Sequence, residues 1–315
     1  MTSQTTPLRR SRVARRTLLS GLSAAALAGC MGGAPERRQI RIATGSRTAV
    51  YYAVGTAYAG VIAQELPSTD ATALVTAASA ENVQLIINGK AEIGFTQADI
   101  LVTGATPDPR IAALARVYDD LLHLVVRADS DIHALPDLRG KRVSVGAAGS
   151  GTEVTVGRLL VVAELSAPGV LRQEKLNLDN SLTALTAGDI DAFFFSGGLP
   201  VAGIKQLTGK RIVDLSASVA LMRQRYSDVY VVRDVPASAY HLKSVATIAV
   251  PNFLVVPRKM ADDLAFDLAR MLLERRDVLA AAHPAAENLD IRSAVATLPV
   301  PLHPGAADYF RSVKP

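Results

Sequence analysis

The chain is short of several things, and each shortage excludes a class of function. It has one cysteine, Cys30. No internal disulfide and no multi-thiolate zinc site can form from it. It has no apolar run long enough for a polytopic membrane protein. Its five histidines, His123, His133, His241, His283 and His303, include no helical His pair with an intervening Glu, so turn or capping roles are expected and metal is not. No Gly-x-Ser-x-Gly elbow occurs, the Gly-Lys-Ser/Thr sequence of a P-loop is missing, and no dispersed pair of carboxylates can be placed for acid–base work. No catalytic residue is therefore assigned.

The charge is short in a more local way. Lys plus Arg number 34 and Asp plus Glu 29. The five arginines Arg9, Arg10, Arg12, Arg15 and Arg16 account for the whole excess. Without the leader the body is neutral, and nothing in it attracts a phosphate backbone. Nucleic acid is excluded as a partner.

What is present is globular: 315 residues, 49% hydrophobic and 20% charged, a length that suits two lobes. The first 29 residues have the order of a secretory signal, with a basic region ending at Arg15-Arg16 and an apolar stretch from Leu18 to Leu27. Leu27-Ala28-Gly29-Cys30 looks like a bacterial lipobox, and Arg15-Arg16-Thr17-Leu18-Leu19 loosely resembles a twin-arginine signal. Cleavage there would leave Cys30 as the acylated N-terminus and residues 30–38 as a tether. The alternative is an uncleaved anchor with an incidental cysteine. Either places the body outside the cytoplasm, held at a membrane.

The body reads as two similar halves. Ile40–Ala43 alternates like a strand, Thr44-Gly45-Ser46 breaks it, and apolar residues from Val50 to Ile62 recur at helical spacing until Pro67. The order returns with the strand Arg142–Val145, the break Gly146–Gly151 and the helix Thr152–Leu165. A second echo is a helix from Glu81-Asn82 stopped by Gly89, then Glu92-Ile93-Gly94-Phe95. Its counterpart is a helix from Asp179-Asn180 stopped by Gly188, then Asp191–Phe195. Alternating strands and helices predict an α/β fold of two lobes, each a mostly parallel sheet flanked by helices. Strands at Leu121–Arg127 and Phe253–Val256 stand between and after the halves, and Ala261–Ala282 reads as one helix. The expected division is 39–126 with 252–315 as lobe one and 127–251 as lobe two, joined by a two-segment hinge. Ligands in open α/β sheets sit beyond the carboxyl ends of strands. Thr44–Thr48, Thr96–Asp99, Gly146–Thr152 and Ser196–Leu199 are then expected to face one cleft.

A series of stretches carries a family resemblance. They include Glu92-Ile-Gly-Phe-Thr-Gln97-Ala-Asp99, Leu122-His123-Leu-Val-Val-Arg127-Ala-Asp129-Ser130 and Leu138-Arg-Gly140-Lys-Arg-Val143-Ser-Val145-Gly146. Gly149-Ser150-Gly151-Thr152, Val250-Pro251-Asn252 and Pro299-Val-Pro301-Leu-His303-Pro304-Gly305-Ala306 follow in order. Together they resemble the solute receptors of tripartite ATP-independent periplasmic (TRAP) transporters, of the TAXI (TRAP-associated extracytoplasmic immunogenic) subfamily. The resemblance implies a type II periplasmic-binding-protein fold, with no enzymatic activity and no cofactor. It implies capture of a small carboxylate or amino acid, glutamate-like, and delivery to an ion-gradient-driven permease. A receptor for an ATP-driven importer or a sensor is the alternative, and a secreted enzyme on the same scaffold is a weaker one.

Each candidate ligand residue has a plainer reading. Gly149, Ser150 and Thr152 open a helix whose unpaired amides suit a carboxylate; the plainer role is N-capping. Of the neighbours Tyr51 and Tyr52, Tyr51 is expected to face the cleft. Gln97 donates and accepts, which suits an amino acid, whereas Asp99 is expected to cap the next helix. Ser196 and the amide of Gly197 would close from lobe two. Ser46-Arg47-Thr48-Ala49 departs from the resemblance, which has small residues there. Arg47 could clamp a carboxylate or lie solvated at the rim.

Overall fold

The structure is a computed structural model that describes residues 1–2, 37–103 and 106–313. It divides into the units Met1–Arg37 and Arg38–Pro315. The expected signal segment, Cys30 and most of the tether lie outside the described residues.

The second unit begins with β1 (Arg38–Ala43), α1 (Val50–Glu65), β2 (Thr69–Leu74), α2 (Ser79–Ile87) and β3 (Ile93–Gln97). Helix α1 follows the apolar spacing: Val50, Tyr51, Val54, Tyr58, Val61 and Ile62 are all buried. It ends because Pro67 disfavours helical geometry at Leu66, which adopts φ −118°, ψ 80°. Burying each such side chain contributes roughly 1.5–3 kcal/mol. Tyr58 adds a hydrogen bond from its buried hydroxyl to the carbonyl of Leu268, 2.6 Å away.

A short helix α3 (Ala98–Leu101) and a small hairpin of β4 (Val102–Thr103) and β5 (Thr106–Pro107) lead into β6, which runs the whole way from Ile111 to Arg127. The first pattern then repeats as β7 (Arg142–Ser144), α4 (Gly151–Val162), β8 (Arg172–Glu174), α5 (Leu178–Ala187) and β9 (Ala192–Gly197). Next come β10 (Lys210–Ile212), β11 (Val231–Val235) and the long β12 (Val245–Pro257). The expected single helix over 261–282 is two, Asp262–Glu274 and Arg276–Ala282, because Arg275 leaves helical geometry at φ −106°, ψ 25°.

The repeat is exact in topology. β2-β1-β3 and β8-β7-β9 are each parallel triplets. They do not form separate sheets. β12 pairs antiparallel with β3, β6 antiparallel with β12, and β9 antiparallel with β6, giving one ten-stranded sheet.

The same clasp closes both triplets. The Arg41 guanidinium donates to both carboxylate oxygens of Glu92 at 2.6 and 3.1 Å and to the carbonyl of Gly89 at 2.9 Å. Arg142 does so to Asp191 at 2.7 and 3.2 Å and to Gly188 at 2.8 Å. In each case the arginine's own amide also donates to that carboxylate.

The two long strands change partners near their middles. In β6, residues Ile111–Leu121 pair with β12, whereas Leu121–Val126 pair with β9 and Val125–Arg127 with β10. In β12, Val245–Ala249 pair with β11 and Asn252–Val255 with β3. Pro251 sits at this exchange and a register shift follows it between Asn252 and Phe253. A proline has no amide to give a ladder, and a bulge bends the strand that holds it. Among the described residues no helix is long and apolar enough to cross a membrane.

Candidate functional site

The carboxyl ends of β1, β3, β7 and β9 converge on a cleft of about 350 Å³. Of the residues singled out from sequence, Ser46, Tyr51, Gln97, Ser150, Thr152, Ser196 and Gly197 line it. Arg47 and Gly149 do not. Arg47 is exposed; it donates to the Tyr52 hydroxyl at 2.8 Å and its guanidinium lies 5.3 Å from that ring's centroid. Tyr52 points away from its neighbour Tyr51, as adjacent helical residues must, and takes Arg47 with it. The amide of Gly149 donates to the Glu153 carboxylate at 2.7 Å, while Ser150 accepts from the Glu153 amide at 3.1 Å. These reciprocal bonds cap α4, so the plainer reading of Ser150 holds while the residue also lines the cleft.

The loop entering α4 needs Gly146. Its φ is +99°, and a Cβ there would lie 2.8 Å from that of Thr152 and 2.9 Å from the amide of Glu153. The turn brings the start of α4 to the cleft, where Gly151 and Thr152 line it, and the first amides of a helix have no carbonyl partner within it. Thr152 accepts from the amide of Ser196 at 3.1 Å, fixing the start of α4 against the end of β9.

The cleft floor is a buried polar chain. The amide of Gln97 donates to the Ser79 hydroxyl at 3.2 Å, and Ser79 and Tyr51 share a hydrogen bond of 3.2 Å. The Tyr51 hydroxyl donates to the side-chain carbonyl of Asn252. The ring of Tyr51 stacks on Phe95 with centroids 5.1 Å apart. The Gln97 side-chain amide donates to Ser196 Oγ at 2.5 Å and to Asp120 Oδ2 at 3.1 Å. The bond to Ser196 joins equivalent strand ends of the two repeats.

Asp120, Tyr118, Ser79 and Asn252 were not identified from sequence. Asp120 is 5% exposed and pairs with no cation among the described residues. Burial, offset in part by Asn252 and Gln97, pushes its carboxyl up to about 7. Its neighbour Asp119 projects to the other face of β6, where Arg116 lies at 2.5 Å and Arg233 at 3.5 Å. Burial also raises the Tyr51 and Tyr118 phenols well above their ordinary value, so both stay protonated. One signal was available: a strand that is apolar on both faces carries an Asp or Asn only for a reason, and Asp120 and Asn252 interrupt such runs.

Asp99 does not cap α3. It is fully buried and receives hydrogen bonds from Thr155 at 2.7 Å and Tyr230 at 3.0 Å, with Arg158 at 3.8 Å. Burial raises its carboxyl, and Arg158 pulls it back. The histidine expectation holds at two positions: His283 and His303 accept from the amides two residues on. Among the described residues no group of three His, Cys, Asp or Glu could hold a metal ion.

Comparison with known proteins gives the family and the fold. The model of the NMT1-like family matches residues 42–313. The chain belongs to the NMT1-like family. Solved structures similar to this NMT1-like protein include a Xanthomonas citri protein bound to ATP, at 14% identity and a TM-score of 0.53, covering 88% of this chain and 99% of that one. An ancestral arginine-binding protein bound to arginine is 15% identical with a TM-score of 0.51, covering 80% and 99%. The periplasmic aliphatic sulphonate-binding protein of Escherichia coli is 16% identical with a TM-score of 0.49, covering 88% and 84%. The NMT1-like chain has the fold of two-lobed periplasmic binding proteins.

Proposed function

We propose that this protein is the extracytoplasmic solute receptor of a TRAP transporter of the TAXI subfamily, anchored to the membrane through an acylated Cys30. In this reading it captures a small carboxylate or amino acid, delivers it to an ion-gradient-driven permease and performs no chemistry on it. The hinge lies where β6 and β12 exchange partners. The observation that carries the reading is the Gln97–Ser196 hydrogen bond of 2.5 Å, which spans the floor of a cleft walled by both repeats. A cleft built from equivalent ends of two repeats can close on a solute by moving one repeat against the other. Family membership and the resemblance of the motif series support the transport role.

The test is uptake by cells or vesicles containing the receptor and the permease encoded with it. Uptake that collapses with the ion gradient and survives ATP depletion is expected. Dependence on ATP would reassign the receptor to an ATP-driven importer. Mass spectrometry of the mature N-terminus should find an acylated Cys30, and an intact leader would remove the anchor from the proposal.

A further inference from the structure

The cleft floor has polar atoms left over. Gln97 is 1% exposed and Asp120 5%, yet among the described residues Gln97 Oε1 and Asp120 Oδ1 accept no hydrogen bond at close distance, and the Asn252 side-chain amide and the Tyr118 hydroxyl beside them are also unpaired. The Gln97 side-chain nitrogen faces Asp120 Oδ2 and Ser196 Oγ, and with Asp120 ionised it donates to both, which leaves the carbonyl oxygen as the free end. Both residues line the same cleft, with Gln97 Oε1 lying beside Gly151 at the start of α4, and leaving buried acceptors unpaired is costly.

No Lys or Arg lines that cleft among the described residues. A dicarboxylate would bring two negative charges to a wall holding a carboxyl and no cation. The start of α4, with the Thr152 and Ser150 hydroxyls, provides one place for an anionic end. Much of the remaining wall is apolar, from Val50, Val75, Leu176, Leu178 and Phe195, with Asn177 and Thr76 among them.

We propose that the solute is an amino acid with an apolar side chain. Its ammonium donates to Asp120 Oδ1 and Gln97 Oε1, its carboxylate lies at the start of α4, and its side chain rests on Leu176 and Phe195. This rests on the receptor reading above and narrows it away from a glutamate-like ligand. The groups around Asp120 fit the assignment: Gln97 from β3, Tyr51 from α1, Tyr118 from β6, Asn252 from β12 and Ser196 from β9 are all uncharged, while Asp119 and Asp99 act on it from farther away and are themselves acidic. An arriving ammonium would be the first positive charge inside the cleft lining, and it would drive the proton off the raised carboxyl.

The test is calorimetric titration of the full mature protein with L-leucine, L-phenylalanine, their 2-oxo acids and L-glutamate. At least one of the two amino acids should bind on the order of tenfold more tightly than its own 2-oxo acid, which keeps the side chain and carboxylate and lacks only the nitrogen. At pH 6, comparison of buffers with different ionisation heats should show a proton released with the amino acid and none with the oxo acid. Asp120→Asn should abolish both the preference and the release. Equal or tighter binding of a 2-oxo acid or of glutamate overturns the inference while leaving a receptor that closes on an acid. Failure of both apolar amino acids to bind also overturns it. Failure of the receptor reading is separate: no contraction by small-angle scattering with any small solute.

Discussion

Asp120 and His123 stand three residues apart on β6, and burial moves them in opposite directions. Asp120 goes up to about 7 from 3.8, and His123 goes down to about 4 from 6.5. His123 is fully buried between the carbonyl of Phe195 at 3.1 Å, which its Nδ1–H meets, and the Tyr240 hydroxyl at 2.9 Å on Nε2. Between pH 4 and 6.5 the unfolded chain binds a proton at position 123 that the native chain refuses, so this residue makes stability rise with pH. Between pH 3.8 and 7 the native chain keeps a proton on Asp120 that the unfolded chain has lost, so this residue makes stability fall with pH. The magnitudes are about 4 kcal/mol for Asp120 and about 3 kcal/mol for His123. They nearly cancel in the wild type from pH 4 to 6.5. Urea denaturation of Asp120→Asn should therefore gain on the wild type as pH rises from 4 to 7. His123→Gln, which keeps a donor and an acceptor, should lose on it between pH 4 and 6.5. Parallel curves for wild type and both variants would refute the assignment.

At the scale of elements, the strongest link between the repeats outside the cleft is the buried Asp99 on α3, seated against Thr155 and Arg158 of α4 and against Tyr230. Asp99→Ala would leave two buried hydroxyls without their acceptor and take the counter-charge from Arg158, which would keep only its bonds to Tyr230 and to the carbonyls of residues 99 and 102, at a cost of about 3 kcal/mol. Thr155→Val, which removes one neutral donor, should cost about 1 kcal/mol. Equilibrium denaturation checks both, and an Asp99→Ala loss as small as that of Thr155→Val would show that the ion pair holds nothing. No spacing rule in the sequence joins residues 99, 155 and 230, which is why Asp99 read as a helix cap. What was legible was local. The intervals Gly89 to Glu92 and Gly188 to Asp191 mark the two clasps, because a C-capping glycine and a strand-leading carboxylate are set by short-range geometry. The first ten residues of β6 were missed for the opposite reason. Ile111–Asp120 is almost unbroken in burial, with no alternation to mark it as a strand. Its meaning depends on β12, more than a hundred residues later. The cleft residues legible in sequence lie at the carboxyl ends of strands and in the loops and first helical turns that follow them. Of the four missed, Tyr118, Asp120 and Asn252 lie inside the long strands where these exchange partners, and Ser79 opens α2.

For the whole molecule, the decisive contact is the seat of α4 on the floor supplied by the first repeat. A Cβ added at Gly151 would lie 1.9 Å from Gln97 Oε1 and 2.8 Å from Ser79 Oγ. Gln97 cannot swing aside without breaking its bonds to Ser196 and Asp120, and Ser79 is tied to Tyr51. The repeats also meet where the Glu81 amide donates to the Gly149 carbonyl at 3.4 Å and where Thr48 reaches Asp179 at 3.3 Å. An extra methyl at position 151 therefore acts as a wedge, and the least costly response is for α4 and its repeat to stand off the floor. The substitution should not harm the helix itself, since alanine favours helical geometry over glycine by about 1 kcal/mol. Gly151→Ala is expected to melt within a few degrees of the wild type and to lose the contraction that a bound solute produces in small-angle scattering. Its affinity for that solute should fall by on the order of tenfold or more, because the ligand would have to displace the wedge as well as draw the repeats together. If Gly151→Ala contracts as the wild type does and binds as tightly, α4 does not need to reach the floor of the cleft, and capture is achieved without closure.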